Sequence, residues 1–499
     1  MEGRIYYTTD VHCYLFDTDY IENGHKDMGL LSIINEVHKD ENSLFIDLGD
    51  NLQGSPMAIY AGKHGLYPQI TTLKAGKYDY LVPGNHDFNF GVPVLASYLR
   101  QTGIPVLLAN IEDSENRIQA KRYVIHTLPS GLRIGLAGIT TDYVQVWESD
   151  TNKKGLVFHD AFQTAKELLA DLDGQCDVKV LLYHGGFEAD LESGAILSQS
   201  KENVGYRIAK ELSYDLLLTG HQHMDIPFRD LFGTKVMQLP ASATKYGVIT
   251  FEKNTSGLTI EGKSVVPHAP LHPACKVRLQ QVEDATQKWL SEPVCTLEES
   301  SCPTSKIESA TKGSRFADLI NHIQLEYSKA DISCTSLGNR LEHLEGQISI
   351  RQVIAAYPFP NTLKKVEIGE PELKQVLERC AQYFDLKDGI PIVSQSFLTP
   401  KVEHYNYDFF LGLDYTIDIH KPIGNRVSDI RFHGEPLQGK KLTLCLNDYR
   451  ASGTGGYGVY RSCKVIQTFK DDLQELVITY LMAHPTLASW EKSGLKVIW

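Results

Sequence analysis

The chain has 499 residues, 42% hydrophobic and 22% charged, so it is too long for a single core and two or more folding units are expected. Its net charge of −13 argues against extended binding to a nucleic-acid polymer, which needs surplus Lys and Arg on one face, although local cations can still hold a small anionic substrate. The nine cysteines are scattered without close pairs or zinc-ribbon spacing, no apolar run is long enough to span a bilayer, and no export signal is expected near Met1, so a cytoplasmic protein with reduced thiols and no membrane partner is expected.

From Arg4 to about Pro267, short β-rich runs alternate with helical ones, the pattern of an α/β layer architecture. Strands are predicted at Ile5 to Thr9, Leu44 to Leu48, Tyr78 to Val82, Val106 to Ala109, Ile134 to Ile139, Val178 to Tyr183 and Asp215 to Thr219, with helices at Met28 to His38 and Phe162 to Leu172. Val236 to Leu239 and Val248 to Phe251 read as consecutive strands, so mixed sheets are expected. A Pro- and His-rich stretch then precedes a helix from Lys276 to Ser291, whose Val277, Val282, Ala285 and Trp289 fall roughly on one face, and a polar loop is expected from Cys295 to Ser305. The domain plan is therefore 1–267, a linker helix and loop over 268–305, and 306–499. In the last part, helices are predicted at Arg315 to Ser328 and Glu370 to Tyr383, and strands near Tyr415 to Ile419, Val427 to Phe432 and Leu442 to Leu446.

Five short motifs in the first half place a metal-capable side chain just after a predicted strand: Asp10-Val11-His12, Gly49-Asp50-Asn51, Gly84-Asn85-His86-Asp87, His184-Gly185-Gly186 and Gly220-His221-Gln222-His223. Open α/β sheets build their sites at that edge, and glycines beside the ligands let the backbone turn sharply. Each motif alone occurs by chance; their conjunction carries the argument. Two divalent ions about 3.5–4 Å apart need a bridging carboxylate and accept mixed imidazole and oxygen donors. Asp50 is the natural bridge, with Asp10, His12 and His223 completing one ion and Asn85, His184 and His221 the other. His86 is left to stabilise charge on a phosphoryl group or to protonate a leaving oxygen. The donor set suits Zn, Mn, Fe or Co.

On these motifs the sequence resembles the calcineurin-like metallophosphoesterases, and more closely the 5′-nucleotidase family. The resemblance implies an α/β/β/α sandwich followed by a C-terminal α+β nucleotide-binding domain, two transition metals and in-line attack by a metal-bridging hydroxide. In the family's Asn-His-Glu-Phe-Asp motif the last Asp orients the catalytic histidine, whereas this chain has Asn89 there. Thr8-Thr9-Asp10-Val11-His12 with the following Phe16-Asp17-Thr18-Asp19-Tyr20, and Tyr405-Asn406-Tyr407-Asp408 with Asn447-Asp448-Tyr449-Arg450-Ala451 and Gly455-Gly456-Tyr457, resemble the bacterial 2′,3′-cyclic-nucleotide 2′-phosphodiesterase/3′-nucleotidase branch.

That likeness implies a nucleotide substrate whose base lies between Tyr405 and Tyr457, with Tyr407 replacing Tyr405 if strand alternation points it outward. Without it, these aromatics read as sheet packing. The family's Asn-x-Gly-Gly-Ile-Arg motif is shortened here to a stretch ending Gly338-Asn339-Arg340; Arg340 reads either as a phosphate fork or as a solvated arginine, with Arg426 as its substitute. Metals in one domain and a base platform in the other would make domain closure part of the reaction. The alternatives are a 5′-nucleotidase or broad nucleotide phosphohydrolase, a nucleotide sensor without catalysis, and hydrolysis of other phosphorus or sulfur esters. Nothing in the sequence sets an oligomeric state.

Overall fold

The computed structural model of the chain describes residues 1–22, 24–197, 201–359 and 361–499. Two compact units follow one another, Met1–Gln287 and Lys288–Trp499. Among the described residues, no helix is long and apolar enough to cross a membrane.

The first unit contains two large mixed sheets. One runs in the order Gly257–Val265, Tyr246–Asn254, Glu2–Thr8, Ser43–Asp47, Tyr80–Leu81, Val106–Leu107, Ala120–Lys121. Its first two pairings are antiparallel and the rest parallel. The other runs Ile226–Leu231, Thr234–Gln238, Leu216–Thr219, Val178–His184, Arg133–Thr140, Tyr123–Thr127, with antiparallel pairs only at its two edges.

Side chains alternate along each strand, so a strand buried on both faces serves two cores. Ile5, Tyr7, Ile46 and Val82 of the first sheet meet Leu136, Val180, Leu182 and Leu218 of the second in the inner core. Leu181 and Leu217 turn the other way, onto Ala165, Leu168, Ile208 and Ala209 of the covering helices. Helix Ala161–Leu172 starts where the Asp160 side chain accepts from Gln163 N–H, and buries Ala161, Ala165, Leu168 and Leu172 along one stripe. On the outside of the first sheet, Phe45 stacks on Tyr78 with ring centroids 3.8 Å apart. The layers are therefore α/β/β/α. A fully buried Leu contributes roughly 1.5–3 kcal/mol, so the apolar inner faces hold the two sheets at a fixed spacing.

Two sequence expectations are corrected. Helix Pro273–Leu290 leaves Val277 80% exposed and buries Cys275, Leu279, Glu283, Thr286 and Leu290. That stripe contains a carboxylate because Glu283 accepts from the Tyr20 hydroxyl at 2.8 Å. Residues read as the loop Cys295 to Ser305 instead begin with the strand Pro293–Ser301, paired antiparallel with Leu344–Ser349, because Val294, Cys295 and Leu297 are buried while Thr296 and Glu298 beside Leu297 are more exposed.

The second unit is α+β. Its five-stranded sheet runs Asp408–Leu411, Ile332–Ser336, Lys441–Asn447, Leu363–Gly369, Lys464–Thr468. Helix Arg315–Ser328, capped by Ser314 accepting from Ala317 N–H, buries Phe316, Leu319, Ile320 and Ile323.

Candidate metal centre

The chemistry-bearing side chains of the first unit lie just beyond the C-terminal ends of parallel strands, three from each sheet. Asp10, Asp50 and Asn85 follow Glu2–Thr8, Ser43–Asp47 and Tyr80–Leu81. In the second sheet, His184 ends Val178–His184, and His221 and His223 follow Leu216–Thr219. His12 reaches the same place on the loop after Asp10.

The backbone takes left-handed values at Asp10 (φ 52°), His12 (50°), Asp50 (60°), His221 (69°) and His223 (57°). Such a conformation costs a non-glycine residue about 1–2 kcal/mol, and it persists where surrounding contacts over-determine it. The flanking glycines act less by turning than by leaving room. A Cβ on Gly84 would lie 2.2 Å from Asp50 Oδ1, and one on Gly220 2.1 Å from Thr9 Oγ1.

The hydrogen bonds around the site fix which atoms face inward. His12 Nδ1 donates to the Gln53 carbonyl at 2.6 Å, and His184 Nδ1 donates to the Leu48 carbonyl, so each ring presents its Nε2 lone pair. His12 Nε2 then lies 2.9 Å from His223 Nε2, which is 3.4 Å from Asp10 Oδ1. His184 Nε2 lies 3.1 Å from Asn85 Oδ1 and 3.2 Å from Asp50 Oδ2, a buried oxygen with no hydrogen bond. His221 gives Nε2 to Glu202 Oε1 at 2.9 Å and turns Nδ1 to Asn85 Oδ1 at 2.7 Å.

Acceptor and ring-nitrogen atoms thus converge at two adjacent points, a crowding that bound positive charge relieves. Asp10, His12, Asp50 and His223 cluster around one, and Asp50, His184 and His221 around the other. Asp50 is common to both, and its Oδ1 accepts the His86 N–H at 2.8 Å. The carboxylates also demand positive charge. Burial disfavours ionised Asp10 and Asp50, yet the neighbouring histidines hold both below the usual carboxylate range. Burial likewise disfavours charge on His184, but Asp50 and Asp10 push its pKa up to about 10. The residues present therefore fit divalent cations.

Residues 3–225 match the calcineurin-like phosphoesterase family, and residues 293–462 match the 5′-nucleotidase C-terminal domain. A Staphylococcus aureus protein provisionally named 5′-nucleotidase, solved with α-ketoglutarate, is 31% identical, with a TM-score of 0.92 and all of both chains covered. The chain belongs to the 5′-nucleotidase family of metallophosphoesterases. Among its curated relatives, the Haemophilus influenzae 2′,3′-cyclic-nucleotide 2′-phosphodiesterase/3′-nucleotidase is 24% identical over 96% of this chain and 84% of its own. The Bacillus subtilis trifunctional nucleotide phosphoesterase protein YfkN is 23% identical over 96% of this chain, which spans 38% of that protein's length. As a member of the family, the protein is a hydrolase of phosphoric esters that uses divalent metal ions.

Two family features take a local form here. Asp87, third in the Asn85-His86-Asp87 run, accepts four backbone N–H groups, from Asp50 at 3.0 Å, Asn51 at 2.9 Å, Leu52 at 3.0 Å and Gly84 at 2.9 Å, and so pins the Asp50 loop to the Asn85 loop. Asn89 donates its amide to His86 Nδ1 at 3.2 Å and to Gln53 Oε1 at 2.5 Å, while its carbonyl accepts from Asn152. An amide donor on Nδ1 places the ring proton of His86 on Nε2.

The residues of the second unit expected to contact substrate separate into two groups. Tyr457 is 1% exposed, its hydroxyl donates to the Asn406 carbonyl, and its ring lies 4.2 Å from the Arg450 guanidinium and 5.8 Å from that of Arg379. Tyr407 is 2% exposed, packed among Tyr383, Phe384 and Phe409, with its hydroxyl on the Ala310 carbonyl. Neither ring has a face open to a base, because aromatic side chains enclose Tyr407 and the Arg450 and Arg379 guanidinium groups lie against Tyr457. Arg426 is also buried, donating to the carbonyls of Lys421, Ala381 and Phe384, which excludes it as a phosphate fork.

Tyr405 keeps part of its surface exposed, beside Phe359 at 5.9 Å, and so does Tyr449. Arg340 is exposed, and Asn339 next to it fastens that stretch to the Tyr405 loop by donating to Val402 O at 2.8 Å and accepting from His404 N at 3.0 Å. Glu202 escapes sequence reading because no motif spacing marks it. Gln222 was visible in its motif, but not its role: its side chain accepts from Phe187 N and donates to Phe187 O, fixing the histidine turn.

Proposed function

We propose that the protein hydrolyses nucleotide phosphate esters, foremost 2′,3′-cyclic nucleotides and 3′-nucleotides. The observation that carries this reading is the convergence of two lone-pair clusters on the shared, hydrogen-bond-poor carboxylate oxygen of Asp50. Asp10, His12, Asp50 and His223 would hold one divalent ion, and Asp50, Asn85, His184 and His221 a second, with Zn, Mn, Fe and Co all compatible with the donors. When bound, the pair supplies Lewis-acid polarisation of phosphate oxygens and lowers the pKa of water towards about 7.

The chain's own residues do the rest. His86, with its proton on Nε2, offers a neutral N–H donor to the phosphoryl group, which favours charge stabilisation over protonation of the leaving oxygen. Its pKa, lowered to about 4 by burial despite the opposing charge of Asp50, supports the same role. Glu202 and the Gln53 and Leu48 carbonyls orient the ligand rings. Tyr405 offers a partly exposed ring to the base, and stacking of this kind is worth about 1–3 kcal/mol. Arg340, exposed on the second unit, is the residue proposed to contact phosphate. The cyclic-nucleotide preference is supported by the names of relatives that align over most of this chain.

The test is a panel of 2′,3′-cyclic, 3′- and 5′-nucleotides with metal-loaded protein and detection of free phosphate and opened diester. Turnover of the cyclic and 3′ substrates well above the 5′ ones is expected. Preferential 5′ hydrolysis would instead select the 5′-nucleotidase reading, and tight nucleotide binding without any hydrolysis would select a sensor.

A further inference from the structure

The strand pair that begins the second unit carries a group of metal-capable side chains that phosphate-ester hydrolysis does not use. Pro293–Ser301 runs antiparallel to Leu344–Ser349, with Ser301 opposite Leu344. One step beyond, Cys302 and His343 become neighbours across the pair, and Glu345, two residues from His343, projects to the same side because side chains alternate. One donor atom from each of the three residues lies within 4.8 Å of the others. Cys302 is a free, half-buried thiol, while His343 and Glu345 are exposed.

We propose that Cys302, His343 and Glu345 bind a third divalent cation of the zinc class, on the second unit and distinct from the pair held through Asp50. A thiolate together with an imidazole and a carboxylate selects borderline metals over magnesium or calcium, and three protein donors leave a fourth, tetrahedral position for water. Zinc bonds of about 2.0–2.3 Å need the donors drawn somewhat closer, which two exposed side chains permit.

The site also has a structural purpose. The pairing is irregular between Leu297 and Ser301, which face Gly346 and Leu344, so the Ser301 contact stands apart from the regular ladder. The Cys302 thiol reaches the Leu344 carbonyl only at 3.8 Å. An ion joining Cys302 to His343 and Glu345 fastens that end of the pair.

The test uses the full chain loaded with Mn2+ and titrated with Co2+, followed by thiolate-to-cobalt charge-transfer absorption in the near ultraviolet. Cobalt that exchanges into the pair through Asp50 gives no such band, because that donor set contains no sulfur. We expect a band that saturates at a single cobalt per chain, is lost in Cys302→Ser, and needs more cobalt in His343→Ala and in Glu345→Gln. Absence of the band in the parent protein, its persistence in Cys302→Ser, or an unchanged titration in either other variant overturns the proposal. Glu345→Gln alters only an exposed side chain, so the test stands even if Cys302→Ser folds poorly. The outcome does not depend on which ester the protein hydrolyses.

Discussion

Asp87→Asn removes a charge that touches neither substrate nor the proposed ions, yet it should loosen the whole centre. The Asp87 carboxylate accepts two N–H groups on each oxygen, at 2.9 to 3.0 Å. An asparagine of the same shape keeps one oxygen and turns an NH2 group towards the other two donors. Hydrogen bonds to charged groups are worth about 1.5–3 kcal/mol each, so losing two costs about 3–6 kcal/mol. Burial, and then the charge of Asp50, push the pKa of Asp87 up, which weakens it as a charged acceptor and favours the lower end, about 3 kcal/mol. That is a large part of the ~5–15 kcal/mol that holds a typical domain. Denaturant titration should show the lost stability. Elemental analysis after dialysis should show lost metal, since the Asp50 and Asn85 loops are no longer tied to one carboxylate. A variant with an unchanged midpoint and full metal content would refute the reasoning.

Three further outcomes are expected. His86→Asn should keep its metal by elemental analysis while its turnover falls by about 10²–10⁴-fold, the usual range for a positioned proton-transfer or charge-stabilising group; metal loss would assign His86 to the ligand shell. Glu202→Gln should weaken metal affinity about 10–100-fold in competition with a chelator, because Glu202 orients His221 from behind; unchanged affinity would make its contact incidental. Asp47, buried among Thr8, Gly49 and Asn51, has its pKa raised to about 7 by burial, so the folded state binds its proton more tightly than the unfolded one. Its contribution therefore makes stability fall as pH rises from about 4 to about 7, and Asp47→Asn should flatten that slope in denaturation series at several pH values.

The first unit was legible because its central strands are nearly continuous apolar runs, such as Val178 to Tyr183, each followed by a glycine-flanked polar motif. Strand Gly257–Val265 was not, since its alternation is between exposed and half-buried positions and its letters are mostly polar. The second unit gave less because its pairings are distant: Ile332–Ser336 lies between Asp408–Leu411 and Lys441–Asn447. At the site, the ligand types could be read from spacing, but the left-handed backbone at Asp10 or His221 is a weak tendency of Asp and His that the letters alone do not fix. Tyrosines 405, 407 and 457 carry the same letter in one neighbourhood, and only the positions of Arg450, Arg379 and Phe384 decide which rings are covered.

The donors of each proposed ion come from both sheets: Asp10, His12 and Asp50 on one side, His184, His221 and His223 on the other. The apolar layer between them therefore works as a calliper. A volume change at Ile5 or Val178, five and six residues before the nearest ligand on their strands, would open or close the jaws by fractions of an ångström, because close-packed interiors transmit strain. Tuning which cation the centre prefers would then be a matter of hydrocarbon packing as much as of the residues that touch it.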